Sequence, residues 1–228
     1  MLRIGRHNVI PAGIMDVRVR APASAAVAGW WEVAGKTCVA AYQPKGAASL
    51  AASYVNLAQP GVNDAAPGNA PTFATATGWT FVAANSQYLT TGIVQPGSTS
   101  WSTFVRFSGS DGVLVGARND YYLQSFHLRI TSSGNRSDVR LGNTATSFAY
   151  MSSGVWGYAG TAEYLNGLSR GTVVQGPVPT GIAMTIGAEN GVTGMFLYFN
   201  GTVAAVAVYS DALTAGEAGT LSTAMAEL

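Results

Sequence analysis

The side chains first in line for acid–base chemistry near neutral pH or for hard-ligand duty are eleven carboxylates, beside two histidines and one cysteine. The carboxylates stand at Asp16, Glu32, Asp64, Asp111, Asp120, Asp138, Glu163, Glu189, Asp211, Glu217 and Glu227, and no two are spaced i, i+2, the separation that puts a pair on one face of a strand. Cleavage of a glycosidic bond needs two carboxyl groups about 5 to 10 Å apart. No strand carries such a pair, so the expectation is a protein that is not an enzyme. His7 and His127 have no third ligand at metal spacing. Cys38, the single cysteine, lies in an apolar run and reads as a small packed hydrophobe rather than a nucleophile. One cysteine also excludes an internal disulfide framework.

Two binding chemistries remain open. Calcium takes several hard oxygen ligands, and Asp111, Asp120 and Asp138 are the candidate donors, against the competing reading that each is a turn-forming aspartate. The expected cofactor is none, with Ca2+ as the alternative. Sugar rings stack on exposed aromatics, and Tyr121, Tyr122, Trp156 and Tyr158 fall in or near expected loops. Their competing reading is the core, which must absorb most aromatic side chains in a domain of this size. A third feature is electrostatic. Arg3, Arg6, Arg18 and Arg20 face a single acid, Asp16, within the first twenty residues. This basic arm is either solvated or docks on an acidic partner surface.

The formal net charge is +1, which removes the electrostatic attraction that dominates nucleic-acid affinity. No nucleic-acid partner is expected. No apolar run reaches the eighteen or so residues of a membrane helix, and Arg3 and Arg6 lead into Val9-Ile10-Pro11 rather than into a long apolar segment, so neither a membrane span nor a signal peptide is expected.

The elements that must position these residues are strands. Hydrophobic residues make up 48% of the 228 positions and charged ones only 10%, with 28 glycines, a composition of short strands joined by many turns. Turn signals recur every eight to twelve residues from position 72 onward, the rhythm of a sandwich. Residues 203–209 alternate apolar with apolar, as in a strand buried on both faces. Asn200-Gly201 and Asn166-Gly167 predict tight hairpin turns, residues 108–112 another turn, and residues 63–71 a loop. Ser210-Asp211 or Thr214 can cap a helix over residues 215–228. Residues 1–28 form an N-terminal arm, with 17–21 as a strand of one basic face, and residues 29–228 the domain.

Several motifs occur in a telling order: Thr80-Phe81 with Gln87-Tyr88-Leu89, Trp101 opening a strand, Glu163-Tyr164-Leu165-Asn166-Gly167, Met184-Thr185-Ile186-Gly187, and Phe199-Asn200-Gly201-Thr202-Val203 running on to Tyr209, followed by Ala212-Leu213-Thr214-Ala215-Gly216-Glu217. Together they resemble the laminin G-like, concanavalin A-like lectin and glucanase superfamily over residues 72–228. The resemblance implies an all-β fold, an antiparallel β-sandwich of jelly-roll, concanavalin A-like type, here with an N-terminal arm and a short C-terminal helix. The glycosidases of that superfamily carry acids two residues apart on one strand, and this chain does not. Single domains of this kind resemble phage structural proteins. The expectation is therefore a virion surface protein, a capsid decoration or tail-associated protein assembled in the host cytoplasm, contacting other virion proteins through its arm, forming a homo-oligomer in the particle and able to touch host glycans. A stand-alone carbohydrate-binding adhesion module is the alternative.

Overall fold

The computed structural model describes residues 29–94, 100–119, 124–177, 179 and 181–228. The expected arm, with Arg3, Arg6, Arg18 and Arg20, and the nominated Asp120, Tyr121 and Tyr122 lie outside the described residues. The strands are β1 (Cys38–Tyr42), β2 (Ala66–Asn69), β3 (Thr72–Ala74), β4 (Gly78–Phe81), β5 (Tyr88–Val94), β6 (Ser102–Asn119), β7 (Gln124–Thr131), β8 (Arg136–Gly142), β9 (Ala145–Ala149), β10 (Ser153–Ala159), β11 (Ala162–Leu165), β12 (Leu168–Thr172), β13 (Ala183–Ile186), β14 (Glu189–Gly191), β15 (Gly194–Phe196) and β16 (Asn200–Tyr209). Among the described residues two α-helices accompany them, the single turn α1 (Leu50–Ser53) and α2 (Ala215–Glu227). The fold is an antiparallel β-sandwich, and among the named strand pairings the contact of β14 with β6 is parallel. Among the described residues no helix is long and apolar enough to cross a membrane.

The organising strand is β6, 18 residues long. Its first half lies between β16 and β10, with Phe104 opposite both Ala207 and Gly157. Its second half lies between β7 and β13, with Val115 opposite Leu128 and Ile186. The expected turn over residues 108–112 is therefore corrected: the strand runs through it. Glycines permit this, because a Cβ on Gly112 (φ 101°) would stand 2.1 Å from the Tyr198 carbonyl oxygen, where another chain segment crosses the strand.

β16 is central, paired with β1 and β4 on one side and β6 on the other. Val203, Val206 and Val208 enter the main core, while Ala205, Ala207 and Tyr209 face a second cluster. Strict alternation cannot put 203 and 206 on one face. The register shift between Val203 and Ala205 supplies the extra residue that reverses the parity. Asn200-Gly201 is not a hairpin turn. Gly201 pairs with Phe81 on β4 and Gly109 on β6, and a Cβ there would be 2.3 Å from the Ser108 carbonyl oxygen, so this glycine serves close strand approach. Asn166-Gly167 does make the expected turn, with φ of 50° and 81° between β11 and β12. The expected loop over residues 63–71 contains the exposed edge strand β2, which pairs with β5.

α2 closes the chain as expected. Thr214 caps it: its side chain accepts from the Glu217 N–H and its own N–H donates to Glu217 Oε2 at 2.7 Å, a reciprocal capping box. Ala218, Leu221 and Met225 lay the helix on the outer face of β6, β10, β11 and β16, where they pack with Phe104, Tyr164, Ala207 and Leu213. This makes a second, smaller core outside the sandwich. It covers only part of that face.

Candidate functional site

Two of the nominated aromatics are core residues. Trp156 and Tyr158 expose 0% and 2% of their surface, because β10 is flanked by β6 and β11 and turns both side chains into the sandwich. Trp156 packs against Phe107 with ring centroids 6.2 Å apart, and Tyr158 meets Phe126 edge-on at 5.6 Å. Neither offers a face to a sugar, which corrects the expectation that they stand in accessible loops. The two described aspartates are also engaged. Asp111 accepts from the Ser132 N–H at 2.9 Å and from its hydroxyl, clamping the turn between β7 and β8. Asp138 accepts from Ser147 Oγ at 2.6 Å and pairs with Arg136 at 3.2 Å. Among the described residues, no three His, Cys, Asp or Glu side chains converge as metal ligands.

The buried ionisable groups that composition did not single out are structural ties. Glu163 on β11 is fully buried; its Oε1 accepts from the Trp156 indole N–H at 2.6 Å and from Arg170 at 3.3 Å. Burial pushes its carboxyl up to about 7, against the opposing pull of the Arg170 charge and the indole N–H. Arg170 also donates to the Ala149 carbonyl at 2.7 Å, which joins the free edges of β12 and β9. On the other side of the sandwich, Glu189 of β14 lies 2.6 Å from His127 Nδ1 and 3.5 Å from the Arg118 guanidinium, which itself sits 3.5 Å over the Phe196 ring. His127 is thus packed in the interior. The Cys38 thiol, pushed up to about 12 by burial, is no nucleophile.

The accessible site lies elsewhere. On the part of the outer sheet face that α2 leaves uncovered, an open cleft of about 400 Å³ runs over β6, β16 and β10. Its floor follows from strand parity: Phe104 lies under the helix, and two residues along the same face β6 presents Arg106, then Ser108. Ser108 Oγ and Thr202 Oγ1, opposite each other on β6 and β16, are 2.7 Å apart. The walls come from the β3–β4 turn (Thr77), the segment after β1 (Lys45), the end of α2 (Ala226) and the β11–β12 turn (Asn166).

Asn166 is held in place: its Oδ1 accepts from the Val155 N–H at 2.9 Å, which leaves its amide N–H groups to donate outward. Arg106 spends one N–H on the Met225 carbonyl at 3.1 Å, neutralising the negative end of α2. Lys45 is anchored through its backbone, whose N–H donates to the Ala204 carbonyl at 3.3 Å. None of the described lining residues is Asp or Glu. The cleft thus sets donor-rich polar groups and two cations, Lys45 and Arg106, among apolar side chains. None of its residues was nominated from sequence. The signal available was Arg106, a lone charge in the apolar alternation of residues 101–107.

No protein-family model matches the chain, and no curated protein sequence does. Solved structures do match it in fold. A Trypanosoma rangeli sialidase mutant displaying trans-sialidase activity aligns at 15% identity and TM-score 0.55, over 83% of this chain and 33% of that one. The binding domain of botulinum neurotoxin DC in complex with SialylT aligns at 9% identity and TM-score 0.54, over 83% of this chain and 51% of that one. The chain thus spans about a third of the sialidase chain and about half of the toxin chain. At such identities the likeness is one of fold alone, that of a β-sandwich.

Proposed function

We propose that this chain is a non-enzymatic binding domain that takes a saccharide in the cleft over β6, β16 and β10. The observation that carries the reading is the cleft itself, where hydroxyls (Thr77, Ser108, Ser153, Thr202), an oriented amide (Asn166) and cations converge on an accessible hollow of about 400 Å³. That volume is within the range of small-molecule sites, and hydroxyl-rich ligands are recognised by such hydrogen-bonding groups. The carboxylates of Glu163 and Glu189 are buried away from it, and a binding role asks nothing of them. Glycans bound by two of the structural neighbours point the same way: SialylT by the toxin domain and, in another sialidase-derived structure, sialic acid by the Trypanosoma rangeli enzyme. The test is a glycan array probed with the full chain and with Asn166→Ala. Retention of a defined glycan set by the wild type, weakened in the variant, supports the reading; an array on which the wild type retains nothing overturns it.

We propose further that the domain works on the surface of a phage particle, as a capsid decoration or tail-associated protein joined to other virion proteins by its basic N-terminal arm. The support is the sequence resemblance and the crowding of Arg3, Arg6, Arg18 and Arg20 into the first twenty residues. Deleting residues 1–21 should abolish attachment to particles, and full incorporation of the truncated chain would refute this setting.

A further inference from the structure

The cleft holds more cationic donors than a neutral sugar uses. Lys45 and Arg106 both line it, and among the described residues neither has a carboxylate partner, whereas Lys36, Arg136 and Arg170 each do. Among the described residues Arg106 has one protein acceptor, the Met225 carbonyl, which leaves its remaining guanidinium N–H groups for a ligand. Asn166 is oriented by the Val155 N–H so that it donates as well. The hydroxyls of Ser108 and Thr202, bonded to each other, can supply at most one further proton to a ligand between them. The donors thus outnumber the fixed acceptors, and no acid among the lining residues balances the two charges. Both cations are only partly buried, so water reaches them. An oxyanion set between them would replace that water with charge-assisted hydrogen bonds, for which a guanidinium has planar, two-pronged geometry.

We infer that the ligand is an acidic saccharide, one whose carboxylate or sulfate lies between Lys45 and Arg106 while Asn166, Ser108 and Thr202 meet its hydroxyls. This rests on the saccharide reading above and narrows it to one charge class. The two sources of the anion, a sugar acid and a sulfated sugar, share the recognition chemistry and are separated by experiment.

The full chain is applied to an array carrying the same oligosaccharide cores in neutral, carboxylate-bearing and sulfated forms, and the retained glycans are then titrated in solution against wild type, Lys45→Gln and Arg106→Gln. Retention is expected for acidic forms over their neutral counterparts, in the carboxylate arm, the sulfate arm or both. Each variant should weaken it by about tenfold or more, the effect of losing one hydrogen bond to a charged group. Added salt should weaken the wild type more than either variant. Arg106→Gln also removes a tie to α2, so its thermal melt is recorded alongside; Lys45→Gln leaves that tie intact and is the decisive variant. If neutral and acidic forms are retained equally, or if Lys45→Gln binds acidic glycans as the wild type does, the charge inference falls while saccharide binding stands. If no glycan of any form is retained, both fall.

Discussion

Glu163→Gln isolates the titration of one buried carboxyl. Burial raises this group from an ordinary 4.5 to about 7, with the Arg170 charge and the Trp156 N–H pulling the other way. A folded-state pKa above the unfolded one means that the native state binds the proton more tightly, so its stabilising contribution is complete below about pH 4.5 and is lost as pH rises through about 7. At about 1.4 kcal/mol per pH unit, the wild type loses up to ~3 kcal/mol from this group across that window, or ~6 to 12 °C of melting temperature for a domain of this size. Gln keeps the shape and an acceptor for the indole but cannot ionise. Its amide nitrogen takes the place of Oε2, which has no hydrogen-bond partner, and any cost of that is the same at every pH. The assay is urea unfolding of both proteins from pH 5 to pH 8, read as the difference in unfolding free energy. That difference should move in favour of the variant by up to ~3 kcal/mol as pH rises. A difference independent of pH would show that Arg170 outweighs burial and holds Glu163 ionised throughout, and the reasoning would be wrong.

Three other substitutions probe the frame. Arg170→Gln removes the charge that lowers the Glu163 carboxyl, so the pH window over which stability declines should extend further upward; an unchanged window in the same urea series would count against the pairing. Gly201→Ala forces a methyl to within 2.3 Å of the Ser108 carbonyl oxygen between β6 and β16; the expected loss is about 1 to 3 kcal/mol in chemical denaturation, and unaltered stability would refute the close approach. Thr214→Ala removes the side-chain half of the α2 capping box, with an expected loss of ~1 kcal/mol by the same measurement.

How far the sequence alone reaches is clearest at four places. The double apolar alternation of residues 203–209 identified β16 as a central strand, and the sequence offered Ser210-Asp211 or Thr214 as caps of the closing helix, of which the structure uses Thr214, because burial on both faces and helix capping are written in neighbouring residues. Asn166-Gly167 was correctly a hairpin turn, whereas the same dipeptide at 200–201 was not. The two are alike locally; what differs is that β6 and β4 flank Gly201 on either side, a fact of strand pairing across more than ninety residues. Trp156 and Tyr158 are suited by type to stack on a sugar, but β10 lies between β6 and β11 and buries them.

The cleft is the extreme case. Lys45, Arg106, Asn166 and Thr202 come from four distant segments, and no pattern within any of them announces the others. The sequence by itself determined the composition of a β-sandwich, its central strand, its closing helix and the want of a strand-borne acid pair. Only the tertiary structure decided which face each residue occupies, where α2 stops covering the sheet and which cations are left without a carboxylate. The physical reason is parity: a strand shows its side chains on alternate faces, so a single bulge, such as that between Val203 and Ala205, exchanges inside for outside for every residue beyond it.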